Sequence, residues 1–367
     1  MFPMKHSFES SNEKLMSDTI RFLRFPLIVG VVLIHSQIAG EWMERVSSEP
    51  AIDFPVYSTI SYILSSIISR VSVPLFFFFS GFLFFYHSSF NIPTYFQKMR
   101  KRGKTLLVPY LLWNLIAIAL TFALHFFLSD MVTEGPESNY SLLDYLQAFW
   151  EFKPFHHGTP INDPLWFMRD LMVVMLVSPL VFTLLKYSKR YGLMILSILW
   201  LFDWGIKAPG FSIAVLFFYS AGAYFSIHRI NFVERFAPFF PWTAGIYLVS
   251  AVMQFYFRNT AAASYLSHIN VLSGIVLAIS LSARLLEKGR WKVNTFLSEV
   301  SFFIYVYHGL IVYRLTSRAF MLLPHTDLAI LLIYLACPVV IFGIGIPLYI
   351  VLKKYLPRIT AILMGGR

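Results

Sequence analysis

Arg21-Phe-Leu-Arg24-Phe-Pro26-Leu-Ile-Val-Gly-Val-Val-Leu-Ile-His35 is the stretch that decides the fold, because it sets two arginines and one histidine in an otherwise apolar run. On an α-helix the eleven residues from Arg24 to His35 make almost a whole number of turns, so both side chains lie on one face, about 16 Å apart. Arg21 lies near the same face. A charge at the bilayer centre costs about 2.5–3.5 kcal/mol on insertion scales, so ionisable side chains there usually have a function. His35 is the first candidate for a catalytic residue.

The composition of the whole chain indicates an all-α, polytopic integral membrane protein. Hydrophobic residues make up 57% of the 367 residues and charged residues 13%, whereas an ordinary soluble protein has about 25% charged residues. The net charge is +11, but the basic residues fall in short clusters between apolar runs, so no nucleic-acid partner is predicted. The single cysteine, Cys337, excludes a disulfide within the chain.

About ten transmembrane helices are predicted, since each needs about 20 apolar residues. The predicted spans are 20–39, 57–87, 105–128, 165–185, 191–206, 211–227, 239–257, 265–283, 296–318 and 328–352. The second span is too long for one straight helix and contains Arg70 and Pro74. It is therefore either a broken helix or a surface segment followed by a short span.

The distribution of basic residues predicts the orientation of these spans. The predicted inner segments hold 22 lysines and arginines and the predicted outer loops hold 4. The positive-inside rule then places both termini in the cytoplasm. The predicted organisation is a cytoplasmic segment 1–19, a transmembrane domain 20–352 with an outer loop 129–164, and a cytoplasmic tail 353–367. In the outer loop, Trp150, His156 and His157 either line a sugar site or cover the outer face.

Four motifs in this order resemble the acyltransferase-3 family of membrane O-acyltransferases. The first is R-x-x-R-x10-H, formed by Arg21, Arg24 and His35, and the others are Val73-Pro-Leu-Phe-Phe-Phe-Phe-Ser-Gly-Phe82, Pro164-Leu-Trp-Phe-Met-Arg-Asp-Leu171 and Ser301-Phe-Phe-Ile-Tyr-Val-Tyr-His308. The resemblance runs from about Ser17 to the C-terminus and implies transfer of an acyl group to a hydroxyl. Members are often fused to a hydrolase-like esterase domain. This chain ends too soon after its tenth predicted span to carry one, so a standalone form is expected.

The first helix carries the residues that are predicted to bind the acyl donor and to act as the general base. Arg21 and Arg24, near the cytoplasmic surface, are predicted to bind the phosphates of acetyl-CoA or another acyl-CoA, because a guanidinium offers a fork of donors to phosphate oxygens. Alternatively, they are interfacial anchors. Histidine has an ordinary pKa of about 6.5, so His35 can take the proton of an acceptor hydroxyl or become acylated itself. The alternative is a packing or hydrogen-bonding role.

Asp170 is predicted at a depth close to that of His35. Its carboxylate would accept a hydrogen bond from one imidazole nitrogen and orient the ring, which makes Asp170 the second catalytic candidate. Alternatively, Asp170 neutralises Arg169 or Arg70. Arg70 is predicted to line the donor tunnel or to balance oxyanion charge, with a salt bridge to a membrane acid as the alternative.

The remaining candidates come from the later motifs. Ser80 and Gly81 are small residues in a Phe-rich helix, so they permit close approach of a neighbouring backbone or of the pantetheine arm of the donor. Trp166, Arg169 and His308 are predicted to contact the substrate. Trp166 is alternatively an interfacial anchor, and His308 is alternatively structural. No metal site is predicted.

These features predict a multi-pass O-acyltransferase of the bacterial cytoplasmic (inner) membrane. It would move an acetyl group from cytoplasmic acetyl-CoA to a hydroxyl of an extracytoplasmic cell-surface glycan or lipid-linked saccharide. The rival hypothesis is a transporter or flippase of a lipid-linked saccharide, which buried arginines and histidine also suit. A third is a catalytically silent partner that recruits a separate enzyme. Such a partner would tolerate loss of Arg21, Arg24 and His35.

Overall fold

The fold is a bundle of helices. The computed structural model describes residues 11–38, 54–86, 90–127, 141–152 and 158–366. The helices are α1 Ser11–His35, α2 Pro55–Ser61, α3 Ser72–Phe85, α4 Ile92–Arg102, α5 Val108–Phe127, α6 Leu142–Gln147, α7 Trp166–Leu176, α8 Ser178–Ser188, α9 Arg190–Leu201, α10 Ile213–Ile227, α11 Phe232–Phe236, α12 Phe240–Tyr256, α13 Ala262–Glu287, α14 Thr295–Leu322, α15 Asp327–Tyr355 and α16 Pro357–Leu363. Strands β1 Lys207–Ala208 and β2 Phe211–Ser212 pair as an antiparallel hairpin.

Length and hydropathy confirm a polytopic all-α membrane protein. Six helical segments of the described chain are long and apolar enough to cross a membrane: Pro55–Phe85, Ile92–Leu124, Phe232–Tyr256, Ala262–Glu287, Thr295–Leu322 and Asp327–Tyr355. The bent pair of α7 and α8 would make a seventh, while α9 and α10 are shorter. The number of ten spans and the sides of the termini therefore stay predictions.

The second predicted span is a continuous but irregular helix, which agrees with the broken-helix alternative. Between α2 and α3 the chain forms a π-helix at Tyr62–Ile68 and a 3-10 turn at Ser69–Val71. Side chains of neighbouring helices donate to carbonyls in this irregular segment. The amide of Gln254 donates to the Ser66 carbonyl at 3.2 Å, and that of Asn270 donates to the Ile67 carbonyl at 3.4 Å. In a membrane such carbonyls have no water to bond, so these amides stabilise the break.

The fourth predicted span, 165–185, is two helices and not one. α7 and α8 meet at an angle of 61°. Pro179 stands in the first turn of α8, where its missing N–H is tolerated and its ring prevents continuation of the preceding helix. The loop before α7 contacts α14, where the hydroxyl of Tyr305 donates to the Pro164 carbonyl.

Gly81 and Gly222 bring α3 and α10 into close contact. A Cβ atom at Gly81 would collide with the backbone carbonyl of Tyr219, and one at Gly222 would collide with that of Phe78. Small residues at such a contact let two membrane helices approach closely. Gly81 therefore serves helix packing, and the space beside it is filled by α10. This corrects its assignment as a contact of the pantetheine arm. Ser80 is half-buried next to it.

Both predicted terminal segments contain helix. α1 spans Ser11–His35, so part of the predicted N-terminal segment 1–19 is helical. The chain after α15 folds back as α16 against α5, where the indole of Trp113 donates to the Leu363 carbonyl at 3.1 Å. The side chain of Met364 is buried. The predicted tail 353–367 thus packs partly into the bundle.

Candidate active site

α1 places Arg21, Arg24 and His35 on a single helix, as the sequence spacing requires. Pro26 lies inside this helix and does not end it, so the arginines are helical and eleven residues separate Arg24 from His35. At 1.5 Å per residue this spacing is about 16 Å. α1 packs along α13 and α14, and His35 is its last residue.

The imidazole of His35 contacts a carboxylate and a phenol. Its Nδ1 atom is 3.2 Å from Oδ2 of Asp163 and 3.0 Å from the hydroxyl of Tyr313. The Tyr313 hydroxyl donates to the same Oδ2 atom at 2.6 Å. The side chains of His35 and Asp163 are 14% and 12% exposed, so this group is mostly shielded from solvent yet accessible.

This geometry fixes the tautomer of His35. An ionised carboxylate can only accept hydrogen bonds, so Nδ1 carries the proton that is shared with Asp163. Nε2 is then left with its lone pair. Within the described chain Nε2 has no hydrogen-bond partner. The arrangement is that of an oriented general base, in which a carboxylate holds the ring and stabilises the imidazolium that forms.

The loop that carries Asp163 is fixed onto α14. We call residues 158–165 the Asp163 loop. The amide of Asn162 donates to the Val306 carbonyl at 3.1 Å, and the hydroxyl of Tyr305 donates to the Pro164 carbonyl at 2.7 Å. Gly309 lies directly beneath, because a Cβ there would collide with Oδ1 of Asn162 and stand 2.5 Å from Cδ of Pro164. The third and fourth motifs thus meet to position Asp163.

Asp170 is bonded to Arg169, and this corrects its predicted contact with His35. Nε and Nη2 of Arg169 each lie 2.9 Å from Oδ1 of Asp170. Nη1 of Arg169 donates to the carbonyls of Trp150 and Gly158, at 2.5 and 2.7 Å. Both side chains are buried. The structure therefore favours the alternative in which Asp170 neutralises Arg169.

Arg169 anchors the outer loop, and these contacts use four of the five N–H groups of its guanidinium. The guanidinium also lies 5.3 Å from the ring centroid of Trp150, within cation–π range. Trp150 in turn fills the space beside Gly210 of the hairpin. This corrects the substrate-binding assignment of Arg169 and agrees with the covering role of Trp150. His156 and His157 lie outside the described residues.

The fold brings His308 next to His35, whereas the described contacts of Trp166 are with other residues. The ring centroids of His35 and His308 are 5.3 Å apart, and His308 is fully buried on α14. Trp166 opens α7 and its ring centroid lies 6.4 Å from that of Phe77. The substrate role of Trp166 stays a prediction.

The predicted donor-binding arginines differ in environment. Arg21 is exposed and lies 4.0 Å from Asp18. Arg24 is half-buried, and neither Arg24 nor Arg70 has an ion pair or hydrogen bond with any residue that the structure describes. Arg70 lies in the 3-10 turn Ser69–Val71, which packs on α1 at Gly30. The alternative salt bridge of Arg70 to a membrane acid is thus not found in the described chain.

Sequence reasoning missed Asp163 and Tyr313 as partners of His35. Asp163 was one of several acids of the outer loop, although it directly precedes the Pro164 motif. Tyr313 follows the last motif by five residues and nothing in its surroundings marks it. In the described ranges, no group of three or more His, Cys, Asp or Glu side chains could hold a metal ion.

Comparison with known proteins identifies the family of this chain. The sequence matches the acyltransferase-3 family, described as an acyltransferase domain, over residues 18–352. The chain belongs to the acyltransferase-3 family. It is also similar to the succinoglycan biosynthesis protein ExoH of Rhizobium meliloti (strain 1021), with 26% identity over 376 residues that cover 96% of this chain and 93% of ExoH. No solved structure gives a significant match.

Family membership confirms two predictions from the sequence. The protein is an acyltransferase, and it is a multi-pass membrane protein. The four motifs that carried the resemblance fall on α1, on α3, at the start of α7 and on α14. Three of them contribute to the surroundings of His35, through His35 itself, Pro164 and His308.

Gly309→Ala tests whether the Asp163 loop must sit this close to α14. Alanine is the better helix former by about 0.5–1 kcal/mol, so the substitution by itself should stabilise α14. The added Cβ would nevertheless push Asn162 and Pro164 away and carry Asp163 off His35. We expect the rate of acyl transfer to fall about tenfold or more, with the amount of folded protein in membranes unchanged.

Gly343→Ala on α15 is the matched control, because a Cβ at Gly343 meets no atom within 4 Å. It adds the same methyl group to a membrane helix of the same protein. Its transfer rate should equal that of the wild type. Equal rates for the two alanine variants would show that the approach at Gly309 does not position Asp163.

Proposed function

We propose that this acyltransferase moves an acetyl or other short acyl group from cytoplasmic acyl-CoA to a hydroxyl of an extracytoplasmic glycan. It would act in the bacterial cytoplasmic membrane. The observation that carries the proposal is the group formed by His35, Asp163 and Tyr313, with a free Nε2 at one end of α1 and an unpaired Arg24 about 16 Å away. The similarity to ExoH, a succinoglycan biosynthesis protein, supports a polysaccharide as acceptor.

The free Nε2 atom of His35 supplies the chemistry. It would remove the proton of the acceptor hydroxyl as that oxygen attacks the thioester carbonyl carbon. The new C–O bond forms, the C–S bond breaks, and the imidazolium returns its proton to the departing thiolate of CoA. Asp163 would stabilise the imidazolium between these steps. If an acyl-histidine forms instead, the same atom is the nucleophile.

Arg24 would hold the donor by its phosphates. An unpaired guanidinium in a membrane span is costly to bury, so a partner that arrives with the substrate accounts for it. The pyrophosphate and 3′-phosphate of CoA are such partners, and the guanidinium fork matches their oxygens. The helix then sets the separation between phosphate and base. Arg70, in the turn that packs on α1 at Gly30, would be a further cation of the donor site.

Arg24→Gln should raise KM for the acyl-CoA donor by about tenfold or more. A charge-assisted hydrogen bond contributes about 1.5–3 kcal/mol, which corresponds to that factor or greater. KM for the acceptor should stay unchanged. Initial rates in membranes at varied acyl-CoA and fixed acceptor give the measurement.

Arg21→Gln is the matched comparison for Arg24, because it removes the same charge one turn earlier. Arg21 is 55% exposed and already faces Asp18, so we expect a smaller rise in the donor KM. An unchanged donor KM in Arg24→Gln would remove Arg24 from the donor site.

A reconstitution experiment tests the proposed function. Liposomes containing the protein receive labelled acetyl-CoA or succinyl-CoA on one side and acyl-free polysaccharide on the other. The polysaccharide comes from a strain in which the gene has been deleted. We expect labelled ester on the glycan, and mass spectrometry of that strain's surface glycans should show the same acyl mass lost. Movement of a lipid-linked saccharide with no ester formed would instead support the transporter hypothesis.

A further inference from the structure

His308 has one ring nitrogen bonded and the other left without a partner. Nδ1 lies 3.0 Å from the carbonyl oxygen of Ile304, one turn earlier on α14. The side chain is 0% exposed. Nε2 is buried and has no hydrogen-bond partner in the part of the chain that the structure describes.

The Ile304 bond decides which hydrogen bond Nε2 can make. A carbonyl oxygen only accepts, so Nδ1 carries the hydrogen and Nε2 presents a lone pair. Leaving a buried acceptor unpaired is costly, and an apolar side chain of similar size would avoid that cost. A hydrogen-bond donor that comes with a ligand accounts for this atom.

The position of His308 indicates which ligand that is. The ring centroids of His308 and His35 are 5.3 Å apart and their planes are inclined by 58°. Each ring has one nitrogen tied to the protein, through Ile304 in one case and Asp163 in the other, and one nitrogen with a free lone pair. The next residue, Gly309, lies under the Asp163 loop. His308 therefore belongs to the surroundings of the reacting hydroxyl.

We propose that Nε2 of His308 accepts a hydrogen bond from a second hydroxyl of the acceptor, adjacent to the hydroxyl that is acylated. A hydroxyl has one hydrogen to donate, so a single hydroxyl cannot serve both lone pairs. Two hydroxyls on neighbouring ring carbons, each about 2.8 Å from its nitrogen, can reach two rings at this separation. The acceptor class is then a sugar with a free vicinal diol. This inference rests on the proposed function and makes it more specific.

The other donor that could reach Nε2 is an amide N–H of the pantetheine arm of CoA. A diol accounts better for a free lone pair on each of two neighbouring rings, because it supplies an O–H group for each. The two ligands make opposite predictions for the kinetic constants. Loss of a diol contact affects the acceptor, and loss of a pantetheine contact affects KM for the acyl-CoA donor.

The test compares acceptors with and without the neighbouring hydroxyl. Methyl β-D-galactopyranoside is acylated with acetyl-CoA in membranes, and NMR locates the ester. Monodeoxy analogues then remove either the hydroxyl next to that position or a distant one. With the wild type, we expect kcat/KM to fall about tenfold for the adjacent deoxy sugar and to change little for the distant one. This comparison needs no variant.

His308→Asn and His308→Gln separate binding from structure. Asparagine can still donate to the Ile304 carbonyl but has no acceptor at the position of Nε2, whereas glutamine can place an amide oxygen near it. We expect His308→Asn to lose about tenfold in kcat/KM with the complete sugar and to show no further loss with the adjacent deoxy sugar. His308→Gln should recover part of the activity. Thermal unfolding in detergent checks that both variants fold.

Each other outcome has a definite meaning. An equal penalty for the adjacent deoxy sugar in the wild type and in His308→Asn would overturn the inference, as would a rise confined to KM for acetyl-CoA. Acylation of the polysaccharide but of no methyl pyranoside would also overturn it and leave the proposed function intact. No ester on either acceptor would count against the proposed function itself.

Discussion

Replacing His35 with alanine is expected to lower the rate of acyl transfer by about 10³-fold or more. General acid–base catalysis by a positioned side chain contributes about 10²–10⁴, and no other described side chain offers a free base held by Asp163. His35 is the last residue of α1 and its side chain is partly exposed. The substitution should therefore leave the bundle folded.

The measurement is labelled acyl transfer in membranes matched for protein content. His228→Ala provides a control, because His228 is also half-buried at a helix end and its Nε2 contacts the Leu185 carbonyl at 3.2 Å. That histidine has a structural contact and no carboxylate beside it among the described residues. Equal loss in both variants would indicate a general effect on folding and would remove His35 from the chemistry.

The part of the site on α1 could be predicted because it depends only on the repeat of the α-helix. Any residue eleven positions from Arg24 on a helix lies on nearly the same face, and α1 is helical from Ser11 to His35. Pro26 was the one feature that challenged it, and α1 continues through that residue. Family membership, which the four motifs predicted, depends in the same way on local patterns.

The partner of His35 could not be predicted, because the contact joins distant parts of the chain through a loop. Asp170 was preferred on depth alone, and depth does not distinguish it from Asp163 on the preceding turn. Arg169 decides between the two acids, because it forms a buried ion pair with Asp170. A buried charge needs a partner, so two adjacent residues of opposite charge in a membrane protein are expected to form an ion pair with each other. Asp163 is left free for His35.

The role of Gly81 could not be predicted for the same reason, because its contact is also with a distant part of the chain. A small residue in an apolar helix signals that something approaches closely, but not what approaches. In the structure it is the backbone of α10 at Tyr219. At Gly309 the same kind of signal marks the Asp163 loop. Only the packing of helices that are distant in sequence distinguishes a structural contact from one that positions a reacting group.

Asp163→Asn should reduce kcat by about 10²-fold or more while it leaves the fold intact. The Tyr313 hydroxyl and Nδ1 of His35 both contact Oδ2 of Asp163, so an amide oxygen in that position can accept from both and keep the ring oriented. Asparagine carries no negative charge. The imidazolium that forms when His35 takes the proton would then lose the carboxylate that stabilises it.

Asp170→Asn is the comparison that separates catalysis from folding. It makes the same chemical change seven residues later, on a carboxylate that binds only the guanidinium of Arg169 and backbone in its described surroundings. Removing one charge of a buried pair costs about 3–5 kcal/mol, so Asp170→Asn should lower thermal stability and the yield of folded protein. Its folded fraction should keep most of its kcat, whereas Asp163→Asn should lose kcat without loss of stability. The reverse pattern would return the catalytic carboxylate to Asp170 and show that Asp163 only holds the loop.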